Sequence, residues 1–280
     1  STEAEMLDSA SYETYNFVDI WNIDNSAVKN SGYPYFGYQT FPAPPIAAAG
    51  LTLHYDSRIG YASASNIWTD LTTSGSDATT VNTYPTGSHL YFGNTYGPSS
   101  ASFPSTEFLV SQSFGIEIWT APTASVGKKV LFSTVSGTFP VIEAYTNVNT
   151  VYVGFQSGSA VAMKYISASN SLNSNKFNHI VFTSQGFGTT YKLWVNGEFY
   201  QTKTAARLPE WSGGTIGIAD TIRTNQYAGY IDTFKIWNGP EINTTTVDNY
   251  YSGRNYWTSL PTLEIFDTGS SEIPDDIPAD

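Results

Sequence analysis

Residues 191–200 read YKLWVNGEFY. Two short arms of alternating apolar residues flank Asn196-Gly197. That pair predicts a two-residue hairpin, because a type I′ turn needs φ > 0 at both central positions. Leu193 and Val195 fall on one side of the first arm, Lys192 and Trp194 on the other. This is the period of a strand with two distinct faces.

The pattern repeats outward. Strand-like runs lie near residues 51–55, 89–92, 114–120, 129–134, 141–145, 150–156, 160–166, 178–184, 190–195, 198–203, 214–218 and 229–236. Gly, Ser, Asn and Pro separate them, and many short strands with regular turn signals indicate an all-β sandwich or barrel. Asn243–Tyr251 is the fair helix candidate, with Asn243 or Thr244 as cap and Gly253 behind it. On several strands large aromatics, Trp119, Tyr152, Trp194 and Tyr200, fall opposite the aliphatics or partly so. Such a second face is either a sugar platform or extra core beneath a covering loop, and the second is the commoner outcome.

The 280 residues are 40% hydrophobic and 15% aromatic but only 13% charged, so Ser, Thr, Asn, Gln and Tyr must supply the polar surface. The net charge of −12 belongs to the ends. Residues 1–24 hold six acids and no base, residues 264–280 hold six more and no base, and the stretch between is formally neutral. Nucleic-acid binding needs a basic face, which is missing. A neutral centre also argues against docking on anionic membranes, and no apolar run is long enough for a spanning helix. With no Cys there are no disulfides and no thiolate chemistry.

Phe41-Pro42-Ala43-Pro44-Pro45 reads as a stiff linker. It divides the chain into an N-terminal attachment segment (1–45), a main domain (46–258) and an acidic, Pro-dotted tail (259–280).

Seven pieces in order carry a family resemblance. They are GLTLHYDSRIG (50–60), IWTDLTTSGSDATTV (67–81), SHLYFGNTYG (88–97), SFGIEIWTAP (113–122), NHIVFTSQGFGTTYKLWVNGEFY (178–200), GGTIGIAD (213–220) and AGYIDTFKIWNGPEINTTTVDNYY (228–251). The series resembles the laminin G-like, concanavalin A-like lectin/glucanase jelly roll. The resemblance implies a two-sheet antiparallel jelly-roll sandwich with a short C-terminal helix and a small N-terminal extension. The opening is similar to modules of phage and marine-virus structural proteins and of secreted bacterial proteins. Residues 5–36 resemble a short unit of bacterial surface adhesins and phage proteins, with Ser31 where Asn is usual before Gly32-Tyr33-Pro34-Tyr35. Trp21, Tyr33 and Tyr35 are its candidate attachment residues.

The fold hosts glycosidases, so carboxylate pairs matter. Glycoside hydrolysis needs two carboxyl groups roughly 5–10 Å apart. The β-glucanases of this fold carry theirs in a Glu-x-Asp-x-x-Glu strand, and this chain has no such strand. Glu117 and Glu143 each stand alone on their strands, and Asp232 matches an acid that the family keeps for structural reasons. His54, His89 and His179 are isolated in sequence, the pattern of packing residues rather than of a base or a zinc site. The expectation is no enzyme and no catalytic residue.

Relatives of this fold hold Ca²⁺ at a sheet rim, which implies Asp220 with Asn225 as the first calcium candidate and Asp77 with Asp70 as the second. Turn-forming Asp residues that bond their own backbone give the same pattern. For glycans, Trp211, Tyr96 and Tyr227 are the candidate readers, since they sit on predicted loops and a sugar's C–H face stacks on a ring. A loop Trp that plugs the end of the sandwich is the competing reading of Trp211.

The reading is therefore a non-enzymatic structural or adhesion module of a virion (tail fibre, spike or capsid decoration) that contacts host surface glycans. The alternatives are a secreted bacterial carbohydrate-binding or adhesin module and, third, a glycoside hydrolase. Expected partners are other virion or surface proteins, through the N-terminal segment, and glycans. The expected location is the virion surface or else the cell surface. Abundant aromatics on a weakly charged surface are compatible with a homo-oligomer.

Overall fold

The computed structural model of the protein describes residues 21–22, 35–36, 50–57, 61–62, 65–72, 76–86, 89–93, 98–104, 113–123, 127–136, 139–157, 160–173, 176–185, 189–206, 208, 211, 213–217, 225–238 and 247. Two strands precede the main domain, β1 (Trp21–Asn22) and β2 (Tyr35–Phe36), and they pair antiparallel. The domain then runs β3 (Leu51–Asp56), β4 (Tyr61–Ala62), β5 (Ile67–Trp68), β6 (Ala78–Val81), β7 (Tyr84–Thr86), β8 (His89–Phe92) and β9 (Ser100–Pro104). It continues with β10 (Phe114–Pro122), β11 (Lys129–Ser136), β12 (Phe139–Asn147), β13 (Thr150–Ser157), β14 (Ala160–Ala168) and β15 (Asn178–Gln185). The last strands are β16 (Thr190–Val195), β17 (Glu198–Thr204), β18 (Gly213–Ile216) and β19 (Gly229–Asn238).

They form two antiparallel sheets. One has eight strands in the order β17-β16-β15-β10-β19-β8-β7, with β3 also on β19; the other has nine, β14-β13-β12-β11-β18-β9-β6-β5-β4. This is the expected jelly-roll sandwich. All the strands read from sequence are present; β4 to β7 and β9 are added. Of the expected helix Asn243–Tyr251, Val247 alone lies among the described residues, and it is buried.

Strand register explains the core. Ile116 of β10 lies opposite Phe182 and Ile236, and Ile118 opposite Ile180 and Phe234. These rows meet Phe132, Ile142, Val153, Phe155 and Ile216 of the other sheet in one cluster. Burying each such side chain stabilises the fold by about 1.5–3 kcal/mol.

The eight-stranded sheet is buried on its other face as well. Glu117 lies opposite Val181 and Lys235, and Trp119 opposite His179 and Thr233; all six are buried. Trp194, Trp237, Val181 and Val247 form one cluster there, and Trp119, Ala121, Phe177 and Tyr230 another.

The hairpin at 196–197 has the expected geometry, with φ of 54° at Asn196 and 82° at Gly197. Leu193 and Val195 enter the main core, while Trp194 joins the second-face cluster. The Asn196 side chain does more than tolerate the turn. Its Oδ1 accepts the His179 N–H at 2.9 Å, and its Nδ2 donates to Ser171 O and Asn178 Oδ1, each at 3.0 Å. One residue therefore ties the turn to the loop that leads into β15. Two substitutions separate these roles. Asn196→Gly keeps the positive φ and loses three hydrogen bonds, at about 1–3 kcal/mol in urea unfolding. Gly197→Val strains the backbone by a comparable ~1–3 kcal/mol without touching those bonds. An Asn196→Gly protein as stable as the parent contradicts the stapling role.

Candidate glycan-binding face

The nine-stranded sheet keeps a solvent-facing side over β12, β13 and β14. Alternation places Glu143 and Tyr145, Tyr152 and Gly154, and Tyr165 and Ser167 on that side. Cross-strand pairing makes two rows, Glu143–Gly154–Tyr165 and Tyr145–Tyr152–Ser167. The rings of Tyr145 and Tyr152 stack with centroids 4.9 Å apart and planes 12° from parallel. Tyr165 meets Tyr145 edge to face at 6.2 Å. Tyr165 is 40% exposed, and the other two rings are partly exposed.

Gly154 makes the arrangement fit. A Cβ there would stand 2.5 Å from Tyr165 Cε1 and 3.1 Å from Met163 Cε, so the ring leans into the space a side chain would fill. Lys128 closes the upper end: its Nζ lies 4.7 Å from the Tyr145 ring centroid and pairs with Glu143 Oε1. Burial, then the neighbouring Tyr165 and Tyr152 hydroxyls and the Glu143 carboxylate, push the Tyr145 hydroxyl up to about 12. It stays neutral near neutral pH, able to donate and accept.

The turn that joins β12 to β13 carries a backbone anomaly. Among the described residues, five non-glycine positions have positive φ. Four are Asn, which tolerates the left-handed region; the fifth is Val148, at φ 54° and 55% exposed. A β-branched residue there is strained by about 1–3 kcal/mol. It puts an apolar tip at the end of the hairpin that bears Tyr145 and Tyr152.

On the other sheet Phe199 of the edge strand β17 is 42% exposed, but the aromatics that the sequence pattern singled out are not open in this way. Trp119 and Trp194 are 2% and 1% exposed, and Tyr200 packs on the main core. Glu117 is closed to solvent: Oε1 accepts the Trp119 indole N–H at 2.8 Å, His179 Nε2 lies 3.4 Å from Oε1, and Lys235 Nζ lies 3.6 Å from Oε2. His179 stacks on Trp119 with centroids 4.5 Å apart. Asp232 sits where the β10–β19 register shifts, with His89 Nδ1 3.4 Å from its Oδ1 and the Thr233 hydroxyl donating to Oδ2 at 3.0 Å. Both acids hold strands together.

The residues singled out in sequence fall as follows. Trp211 is 7% exposed in the main core, its ring 5.9 Å from Phe114. Tyr227 is wholly buried and shares a hydrogen bond with the Thr120 hydroxyl. Both rings lie in the main core and are not exposed for sugar stacking. Tyr96, Asp220 and Tyr33 lie outside the described residues, and Trp21 and Tyr35 are described by their backbone pairing. Asn225 is half-buried.

Asp70 is buried, and its carboxylate accepts four protein donors: the His54 and Thr72 N–H groups on Oδ1, and the Thr72 hydroxyl and Ser76 N–H on Oδ2. Asp77 Oδ1 accepts the Asp70 N–H. A carboxylate offers about four lone-pair sites, so Asp70 is saturated as a turn former. Among the described residues no three His, Cys, Asp or Glu side chains gather as a metal set. Tyr145 and Tyr165 had no sequence signal of their own; Tyr152 carried the second-face pattern.

The profile of the concanavalin A-like lectin/glucanases superfamily matches residues 92–242, more than half the chain. The chain belongs to that superfamily. No curated protein matches it. Among solved structures it is similar to the botulinum neurotoxin type G receptor binding domain, with 17% identity, a TM-score of 0.53, and coverage of 73% of this chain and 51% of that one. A binding domain of botulinum neurotoxin DC in complex with rat synaptotagmin II gives 14%, 0.56, 74% and 52%. A botulinum neurotoxin type C structure, whose cell entry is described as dependent upon interaction with two ganglioside molecules, gives 15%, 0.58, 74% and 52%. The likeness is one of fold, and this chain spans about half the length of those chains.

Two measurements check the tyrosine geometry. Gly154→Val should displace Tyr165, abolishing part of the near-UV tyrosine dichroism at a cost of about 1–3 kcal/mol, with far-UV dichroism unchanged. An unchanged near-UV spectrum contradicts the packing of Tyr165 over Gly154. In a spectrophotometric titration Tyr145 should ionise near pH 12, well above an ordinary tyrosine at 10.0. Because the folded value is raised, its contribution to stability is intact below about pH 10 and fades as pH climbs towards 12. A Tyr145→Phe protein with the same titration curve argues against the shift.

Proposed function

We propose that this chain is a non-enzymatic adhesion module whose Tyr145–Tyr152–Tyr165 face contacts a surface glycan. The carrying observation is that trio: aromatic rings on a rigid sheet, open to solvent, with hydroxyl, carboxylate and ammonium groups beside them. Sugars are read by this combination of ring faces and fixed polar groups. Strands β11 to β14 carry a single acid, Glu143, so this face has no second carboxylate of its own for glycoside hydrolysis. The superfamily match and the receptor-binding domains among its structural neighbours support the reading.

The module belongs to a virion structural protein, such as a tail fibre, spike or capsid decoration. The sequence resemblance to phage and marine-virus modules supports that placement, as does the weakly charged surface. In this reading residues 1–45 attach the module to a partner protein, residues 46–258 form it, and residues 259–280 are a tail.

Adhesion to host cells or immobilised cell-surface glycans tests the proposal. Tyr165→Ala and Tyr152→Ala should each weaken binding by roughly tenfold, equal to about 1.4 kcal/mol, while thermal stability changes little. Removing residues 1–45 should abolish assembly and leave glycan binding intact. Equal binding by both tyrosine variants sinks the role of this face.

A further inference from the structure

We infer that the three tyrosines make one subsite, a corner between Tyr152 and Tyr165 with Ser167 as its floor, and that it reads a single sugar residue at a chain end or branch. This inference rests on the proposed glycan-binding role of the face and adds the form of the ligand. Tyr145 and Tyr152 stand side by side, with centroids 4.9 Å apart and planes 12° from parallel. A sugar ring needs a contact distance of about 3.5–4 Å on each side, so a gap that admits one is roughly 7 Å wide. Nothing of that size enters between these two rings. The other side of Tyr145 is occupied as well. Lys128 Nζ lies 4.7 Å from its centroid, and Lys128 leads into β11, which flanks β12 on the side away from β13. Tyr145 is therefore enclosed on both ring faces; it backs Tyr152 and serves the site through its hydroxyl.

The ring surface left for a ligand is the β14 side of Tyr152 together with Tyr165. Tyr152 lies directly opposite Ser167, a small, half-buried residue that leaves room beside the ring. In the neighbouring row Tyr165 leans over Gly154, where a Cβ would stand 2.5 Å from its Cε1. Tyr165 makes an angle of 74° with Tyr145, and Tyr152 is nearly parallel to Tyr145, so the rings of Tyr152 and Tyr165 meet steeply. Two such walls and a serine floor take one sugar ring, its C–H face on Tyr165, its edge on Tyr152 and its hydroxyls on Ser167 and Tyr145. The strand that carries the corner is pinned along its outer edge. Gln201 Oε1 accepts the Ser167 N–H at 2.9 Å, and Lys203 donates to the Tyr165 carbonyl at 3.0 Å. An ammonium has three donors, so Lys203 keeps two more at the rim of the corner. A chain laid flat across the strands would instead have to cross the upright Tyr145–Tyr152 stack or the Glu143–Lys128 pair, and neither presents a ring face to it.

Titration calorimetry and ligand-observed NMR on the full chain test this with a chain-length series. The probes are the methyl glycosides of glucose, galactose, mannose, N-acetylglucosamine and N-acetylneuraminic acid, each beside the tetrasaccharide built from it. For a sugar that binds, the tetrasaccharide should exceed the methyl glycoside by less than tenfold, because its further residues lie outside the corner. Ser167→Trp fills the floor and should weaken binding by at least tenfold. Val81→Trp adds the same bulk at a 50% exposed position of β6 in the same sheet and should bind as wild type does. Circular dichroism is recorded on every variant; Ser167→Leu, a smaller filler, stands in if Ser167→Trp does not fold, and the chain-length series needs no variant. A tetrasaccharide bound tenfold or more tighter than its methyl glycoside, with that binding lost in Tyr165→Ala, overturns the single subsite and leaves the glycan-binding role standing. So does a folded Ser167 filler that binds as well as wild type, or a loss of the same size in Val81→Trp. Binding of none of the probes overturns both.

Discussion

The middle of the eight-stranded sheet is buried on both faces, and much else follows from that constraint. A strand covered on one side can put its polar residues in water. Strand β10 cannot, so Glu117 must be satisfied by its cross-strand neighbours, and it is: Lys235, His179 and the Trp119 indole surround it. Breaking one member of such a buried set leaves an uncompensated charge, at about 3–5 kcal/mol. Asp232 and His89 answer the same demand one register shift further along β19. The large rings on that face, Trp119, Trp194 and Trp237, become core. The cluster of open, mutually packed rings lies on the other sheet, where Tyr145, Tyr152 and Tyr165 meet and Tyr165 leans over Gly154.

Much of the fold was legible in the sequence because its signals are local. Asn196-Gly197 states a turn through backbone sterics alone, and the alternation in β10 and β13 states two faces. The order of motifs added the superfamily. Strands β4 to β7 and β9 carry little signal because each is only two to five residues long, and β6, β7 and β9 consist largely of Ser, Thr, Ala and Pro.

The candidate site was less legible, for a different reason. Trp119 and Tyr152 carry the same pattern, a large ring opposite the aliphatics, yet one is buried and the other partly exposed. Alternation reports that a strand has a second face and not what lies over it. Trp211 and Tyr227 illustrate the converse. Gly and Asn near them predict loops, but composition does not say whether a loop ring turns outward or inward. The tyrosine trio needed register as well: Tyr145, Tyr152 and Tyr165 meet only because β12, β13 and β14 pair as they do. Asp70 accepts hydrogen bonds from His54, Thr72 and Ser76, a set of partners that spacing in the sequence does not reveal.

In the proposed function the open face of the nine-stranded sheet is the contact surface, and the second face of the eight-stranded sheet is interior. Fluorine NMR of the full chain labelled with 3-fluorotyrosine, with resonances assigned by single Tyr→Phe substitutions, reads this residue by residue. On titration with a mixture of oligosaccharides, the resonances of Tyr145, Tyr152 and Tyr165 should shift or broaden in a saturable way. Those of the buried Tyr55, Tyr191 and Tyr227 should stay in place. Saturable shifts elsewhere with these three unmoved would overturn the contact role of the tyrosine face.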